Sequence, residues 1–316
     1  MGYQASKFLG AKRGCIALAA IASLALASTS ADAKGLFNVL SPAGPVAGET
    51  NRLLLIDVGI MSLVILPTLF LAALFIRRYR ATNKGKYTPK WELSIPLEIT
   101  VWGIPVVIVA ILSYFVYTGI FAVNPYNPGV LKQNTAAAAD KPLKIDVIAL
   151  NWKWLFIYPK QNIATINTLH IPVGRQVNFR ITSASATNSF FIPQLAGQIY
   201  AMPGMRTKDK LSASHTGTYR GISANESGAG FSWMYFKTHA VPASQFKQWV
   251  QKVQQANRKL NMTTLDALAK PKYKPKHQVK LYSDASPHLF RHFIKQVKGG
   301  KVFRTPLFAG EGAGAS

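Results

Sequence analysis

Two long apolar runs constrain this chain more than any other feature. Leu53 to Ile76 is 24 residues with Asp57 near its start and Pro67 inside, and Ile99 to Val123 is 25 residues without a charge. About 20 helical residues cross the ~30 Å hydrocarbon core of a bilayer. Inside lipid every backbone group must find its partner within the segment, which selects helices. Residues 53–76 and 99–123 are therefore expected to span a membrane. The loop between them (77–98) carries Arg77, Arg78, Arg80, Lys84, Lys86 and Lys90, with the acid Glu92 among them. Positive charge marks the cytoplasmic side. Residues 34–52 and everything after 123 then lie outside the cytoplasm.

The first 33 residues agree with that topology. Lys7, Lys12 and Arg13 precede the short apolar stretch Ile16 to Ala27, and Ala31-Asp32-Ala33 offers a small-x-small cleavage site. This is the pattern of a secretory signal peptide, with Lys34 as the new terminus. Cys15 is the one cysteine, and it precedes the apolar stretch instead of following it, which argues against lipid attachment. Cleavage would leave a mature chain without disulfide or thiolate.

Beyond the second span the pattern changes. Residues 124–144 are rich in Pro, Gly, Asn and Ala and are expected as a linker. Ile145 to Leu150 alternates partly, and Val177 to Thr182 alternates strictly, as a half-buried strand does. Short strands between Pro-Val-Gly, Pro-Gly and Ser-Gly turns predict a small β sandwich or barrel over 145–243. From Ser244 the spacing of Phe246, Trp249, Val250 and Val253 is helical. A Lys/Pro-rich stretch (270–276) separates it from a second helix near Pro287 to Val297. Residues 244–298 thus read as an aromatic-rich helical extension, and 299–316 as a flexible Gly/Ala-rich tail. The fold class is a two-helix transmembrane hairpin followed by an all-β domain.

The formal net charge is +25, and from Ala136 onward 25 Lys and Arg face 7 Asp and Glu. Such a field suits nucleic acid, anionic lipid or an acidic protein. No nucleic-acid motif accompanies it, and the location outside the cytoplasm excludes nucleic acid as a partner. Among the six histidines, His288 and His292 stand four apart on the expected helix, without a local acid or cysteine to complete a metal site. Asp57 reads as an interfacial or partner-binding group. No nucleophile–base pair and no phosphate loop stands out, so no catalytic residue is assigned to this chain.

A membrane hairpin followed by a β domain outside the cytoplasm resembles subunit II of the haem-copper oxidases. The resemblance covers roughly Thr50 to Val250. It is carried by Asn151-Trp152-Lys153-Trp154, Ser189-Phe190-Phe191-Ile192-Pro193 and Gly221 to Met234. In members that oxidise cytochrome c, the β domain is a cupredoxin holding a dinuclear copper centre on a loop Cys-x-x-x-Cys-x-x-x-His-x-x-Met. A second His comes from an earlier strand. Here the spacing persists and the ligands do not. Ser223 and Ser227 stand at the cysteines, Phe231 at the His, Asn188 at the earlier His, and only Met234 keeps its type. Copper of this kind needs soft thiolates and imidazoles, so no metal or other cofactor is expected on this chain.

Loss of the centre, together with Phe190 to Met205 and the extension Ser244 to Gln296, resembles the bo-type ubiquinol oxidase branch. That resemblance implies a non-redox subunit II in a proton-pumping complex that oxidises ubiquinol and reduces oxygen to water. Two haems and one copper would sit in the large subunit I. Further small membrane subunits and the lipid bilayer would be partners, and cytochrome c would not. The implied location is a bacterial inner membrane, crossed twice, with the C-terminal domain in the periplasm. The resemblance also makes Glu98 a proton-uptake candidate; the helix dipole alone would stabilise an acid there by ~0.3–1 kcal/mol. Trp152 and Trp154, at the place where relatives admit electrons, are candidates for a packing or aromatic interface role. A membrane-anchored adaptor or assembly factor with the same β domain is the alternative.

Overall fold

The computed structural model describes residues 39–80, 93–127, 141–271, 278–301 and 303. The expected signal segment with Cys15, loop residues 81–92, linker residues 128–140, residues 272–277 and the tail from 304 lie outside the described residues.

Helix α1 runs Pro45–Arg78 and α2 runs Ile95–Val123. At 1.5 Å per residue, the 34 residues of α1 reach about 50 Å, well beyond the hydrocarbon thickness. The surplus lies at the N-terminal end, ahead of the expected start at Leu53. Pro45 sits in the first turn, where its fixed φ suits a helix start. Val46 and Ala47 are buried. Ala43 N–H donates to Gln194 O and Ser214 N–H to Ala43 O, at 2.8 and 2.7 Å. Gly44 approaches the β domain so closely that an added Cβ would lie 2.3 Å from Ser212 O. The chain is therefore stitched into the β domain just before it enters α1. The two helices touch where Gly119 meets Leu53; a Cβ at Gly119 would lie 2.6 Å from Leu53 Cδ1. Glu98, expected at the cytoplasmic start of the second span just ahead of Ile99, lies in the first turn of α2, because the helix starts at Ile95.

The β domain is two packed sheets. One has the order β12-β3-β2-β1-β5-β8 and the other β4-β10-β9-β6-β7. Their strands are β1 (Leu143–Leu150), β2 (Lys153–Tyr158), β3 (Ile163–Ile166), β4 (Thr168–Pro172), β5 (Val177–Ser183), β6 (Asn188–Phe191), β7 (Ile199–Ala201), β8 (Thr207–Leu211), β9 (Gly217–Ser223), β10 (Tyr235–Val241) and β12 (Lys280–Tyr282). The core between the sheets holds Val147, Trp154, Phe156, Phe179, Phe190 and Phe236. Rings there meet at 5.0–5.8 Å, with Phe190 stacked on Phe236 and Trp154 edge-on to both. Leu143 is buried, so the sandwich begins inside the segment read as linker.

The C-terminal extension covers the outer face of the first sheet. Helices α4 (Met262–Ala269) and α5 (Leu289–Lys298) lie there with short strands β11 (Lys259–Leu260) and β13 (Asp284–Ala285), while α3 (Ala243–Gln254) adds Phe246 and Val253 to the core between the sheets. It is not purely helical. Strand β12 pairs antiparallel with β3 and extends the sheet past an edge that would otherwise be open. A second core forms beneath it from Ile148, Leu150, Leu155, Ile157, Leu265 and Phe293. Strand β1 is thus buried on both faces, which explains why Ile145 to Leu150 alternates only partly. Strand β5 keeps its alternation: Val177, Phe179 and Ile181 face the inner core, while Asn178 and Arg180 face outward half-buried.

Candidate functional site

The loop between β9 and β10 sits where β6 and β9 pair, with Phe190 opposite Ser223. Ser223 N–H donates to Met234 O at 3.1 Å, closing the loop at its base. Asn188, Ser223, Ser227 and Met234 are all buried and come together. The Ser223 hydroxyl lies 3.1 Å from Asn225 O and 3.4 Å from Asn188 Oδ1, and Ser189 N–H reaches it at 3.4 Å. Asn188 Nδ2 donates to Ala186 O at 2.9 Å and to Ser183 Oγ at 3.3 Å. Ser227 Oγ is 3.9 Å from Met234 Sδ. The loop turns at Gly228 (φ 101), whose N–H donates to Glu226 Oε1 at 2.6 Å. Phe231 opens a 3-10 turn to Trp233 and is half-buried.

The fold has therefore kept a cradle of the right spacing. The donor set inside it does not fit a dinuclear copper centre. It offers two neutral hydroxyls, one amide and one thioether, and the ring at position 231 cannot coordinate. The groups that remain are engaged with one another and with the backbone, as buried polar groups must be.

The two tryptophans divide. Trp152 sits in the tight β1–β2 turn with φ 60, a region that bulky residues enter rarely. Its ring lies against Gly230, where an added Cβ would be 2.1 Å away, and its Nε1–H donates to Ser227 O at 3.2 Å. Trp152 thus roofs the loop. Trp154 belongs to the inner core. At 5% and 0% exposure both rings are taken up by packing within the chain, one of the two roles expected of them. The reason is local: the Trp152 turn folds over the loop, and β2 is covered on both sides.

Glu98 and Asp57 lie on the helices, away from this loop. Glu98 is exposed in the first turn of α2, and its N–H donates to Ser94 O at 3.0 Å. Asp57 is half-buried in α1. His288 precedes α5, and its ring lies 6.4 Å from that of His292. Among the described residues, no three His, Cys, Asp or Glu side chains gather.

Three polar features escaped the sequence reading. His170 and His239 face each other across parallel strands β4 and β10 with rings 4.6 Å apart, and Trp249 stacks on His170 at 4.2 Å. Burial, then the neighbouring His239, pushes His170 down to about 3. Burial and Lys237 also lower His239. In both rings the charged form is disfavoured. Asp209 is buried with Oδ1 bound by Lys210 N–H at 2.8 Å and Oδ2 without a partner, and burial pushes it up to about 7. Asp146 is buried on the outer side of β1, and its Oδ1 and Oδ2 accept from Arg180 Nε–H and Nη2–H at 2.5 Å. The alternation of β5 carried a signal for this pair, since it placed Arg180 opposite the core.

A membrane-type hairpin, a two-sheet β domain and a ligand loop that ends in Met define the subunit II class of haem-copper oxidases. Residues 140–241 match the family model described as cytochrome C oxidase subunit II, periplasmic domain. Over 264 residues the chain is 46% identical to cytochrome bo(3) ubiquinol oxidase subunit 2 of Pseudomonas putida, covering 83% of this chain and 81% of that one. It is 42% identical over 266 residues to ubiquinol oxidase subunit 2 of Acetobacter aceti, covering 84% of each. The periplasmic domain of subunit II of cytochrome oxidase from Bradyrhizobium japonicum superposes with a TM-score of 0.35 at 22% identity, over 36% of this chain and 94% of that one. The chain belongs to the family of ubiquinol oxidase subunit 2, the second subunit of a terminal oxidase.

Proposed function

We propose that this chain is the copper-free subunit II of a proton-pumping oxidase that takes its electrons from ubiquinol. Two ubiquinols supply the electrons that reduce one oxygen to water. They pass through the haems and copper of the large subunit, and none passes through this chain. The single observation that carries the reading is the loop from Ser223 to Met234. It keeps the ligand spacing while the Ser223 hydroxyl is engaged by Asn188, Asn225 and Ser189 N–H and the Ser227 hydroxyl meets only Met234 Sδ. A domain with no electron carrier has no means of receiving electrons from cytochrome c.

In this reading α1 and α2 cross the bacterial inner membrane, with the basic loop in the cytoplasm and the β domain in the periplasm. Their apolar outer surfaces, such as Trp102 at 74% exposure, pack against subunit I, the smaller membrane subunits and lipid. Glu98 sits at the cytoplasmic end of α2 and gathers protons for subunit I. An exposed carboxylate at a helix start, beside a cationic loop, supports that role.

The test is purification of the intact complex with metal and haem analysis and turnover on ubiquinol and on reduced cytochrome c. Quinol oxidation with no copper on this chain is expected; a mixed-valence copper signal from it would overturn the reading. Glu98→Gln is expected to slow proton uptake and turnover several-fold. Unchanged turnover and pumping would remove Glu98 from the proton path and leave the quinol reading standing.

A further inference from the structure

Across the first sheet, four strands bring one row of residues together: Ile157, Asp146, Arg180 and Lys208. The row passes from apolar to acid to base on the outer face. The C-terminal extension covers its apolar end and stops at Arg180, whose guanidinium lies 5.3 Å from the Phe290 ring centroid. Where the cover stops there is a groove of about 380 Å³. Arg180 and Arg206 line one wall, and Arg291, Lys295 and Lys298 of α5 line the other.

Among the described residues, Asp146 is the carboxylate paired within this cluster, and both its oxygens are taken by Arg180. Among the described residues, no carboxylate pairs with Arg206, Arg291, Lys295 or Lys298, and all four side chains are exposed. Helix stability accounts for only part of them. Lys295 and Lys298 suit the negative end of α5, but Arg291 stands in its first turn, where the dipole disfavours a cation. The groove is also shaped. Arg180 is held between Asp146 and Phe290. Gly204 (φ +69) brings the β7–β8 turn so close to α5 that a Cβ there would lie 3.3 Å from Lys298 Cγ.

Position indicates the ligand. Arg206 precedes β8, and by strand alternation it shares a face with Lys208 and Lys210. Lys208 N–H donates to Tyr126 Oη at 3.3 Å, and Lys210 Nζ donates to Asn127 O at 2.9 Å. Tyr126 follows the end of α2 at Val123 by three residues, at most ~10 Å of chain. Arg206 is about 7 Å from Lys208 along the strand. The row of cations thus leads from the end of a membrane-length helix into the groove.

We propose that this groove is a binding site for a phosphate-bearing anion, supplied by the phosphodiester headgroups of the adjoining membrane leaflet. Guanidinium groups match phosphate oxygens in bidentate fashion, and the headgroup neutralises the excess of cations that the protein leaves unpaired.

The test uses the full chain purified in neutral detergent. Thermal unfolding is followed with short-chain phosphatidylglycerol, phosphatidylcholine, inorganic phosphate or poly-glutamate added. The variants are Arg291→Gln/Lys295→Gln/Lys298→Gln and a control triple, Lys247→Gln/Lys252→Gln/Lys259→Gln, at exposed positions elsewhere on the extension. Phosphatidylglycerol is expected to raise the unfolding temperature of the wild type and of the control. Its apparent affinity is expected to weaken roughly 100-fold in the groove triple, at about one order of magnitude or less per cation lost. An equal effect of inorganic phosphate would keep the phosphate site and overturn the lipid source. No shift with either, equal weakening in the control, or a shift with poly-glutamate alone would overturn the proposal, the last in favour of an acidic protein. None of these readouts depends on quinol turnover, so failure here leaves the oxidase reading intact.

Discussion

The loop from Ser223 to Met234 and the groove between Arg206 and α5 lie in one β domain and treat their polar groups in opposite ways. In the loop, hydroxyls, amides and backbone groups are turned on one another, and Trp152 covers them. In the groove, one acid and one base are matched and four cations are left to solvent. The loop has the outline of a binding site without chemistry to offer. The groove has chemistry on offer without a familiar outline. The difference teaches that spacing preserved in a sequence marks how a region folds, whereas charge left unmatched marks where something binds.

If the loop persists through packing alone, its foundation should be aromatic and its electron-transfer role nil. Trp154→Ala removes a fully buried ring shared with Phe190 and Phe236, and should cost about 3–5 kcal/mol in thermal unfolding of the full chain. Trp154→Phe should cost far less, because the indole Nε1–H has no partner to lose. Quinol turnover of the complex should survive Trp154→Phe. A large loss of turnover at normal stability would return the tryptophan to an electron path.

Strand β8 carries the contrast within itself, with cations outward and Asp209 inward. The carboxyl of Asp209 is raised from 3.8 to about 7 by burial. Between those pH values the folded chain holds a proton that the unfolded chain has released. The contribution of Asp209 is therefore full below about pH 4, falls as pH rises to about 7 and stays low above it. Asp209→Asn removes that dependence. Its stability relative to wild type should climb by on the order of 3 kcal/mol between pH 4 and pH 8. A flat difference across that range would show that the carboxyl is not buried as a neutral acid.

Asp146→Asn tests the matched pair in the groove. Burial raises this carboxyl, and Arg180 opposes the rise through its hydrogen bond and charge. Arg180 is 35% exposed, so water partly compensates its lost partner. The cost should be about 2 kcal/mol, less than the 3–5 of a fully buried pair. The freed guanidinium should also tighten phosphatidylglycerol binding. Looser binding would mean that Asp146 positions the groove more than it neutralises it.

Much of this architecture was legible in the sequence, and the exceptions have physical reasons. The two helices were legible because lipid-spanning runs need uninterrupted apolarity, and β5 because one of its faces is half-exposed. The start of α1 at Pro45 was not, since Ala43 and Gly44 are held by residues 150 and more positions away, such as Gln194 and Ser212. Strand β12 lay hidden among Lys and Pro because its pairing with β3 is remote in sequence. The loop could be found by spacing alone, as its residues are consecutive. The groove could not: Arg180, Arg206 and Arg291 come from three separate segments and share no motif.

The smallest expected effect is also the sharpest comparison, between the two serines at the former cysteine positions. Ser223 sits at a junction, with its oxygen in reach of Ser189 N–H, Asn188 Oδ1 and Asn225 O. Ser223→Ala leaves those buried groups short of a partner and should cost about 1–2 kcal/mol. The Ser227 side chain meets Met234 Sδ at 3.9 Å, a weak acceptor at long range. The firmer contact of that residue is through its backbone carbonyl, which Trp152 Nε1–H reaches and a substitution leaves in place. Ser227→Ala should therefore change stability by less than about 0.5 kcal/mol. Equal losses at the two positions would indicate that the loop is still shaped as a symmetric ligand pair. An unequal result would mean that one position has been rebuilt as a hydrogen-bond hub, and that the other stays small because Trp152 and Gly230 leave the loop no room.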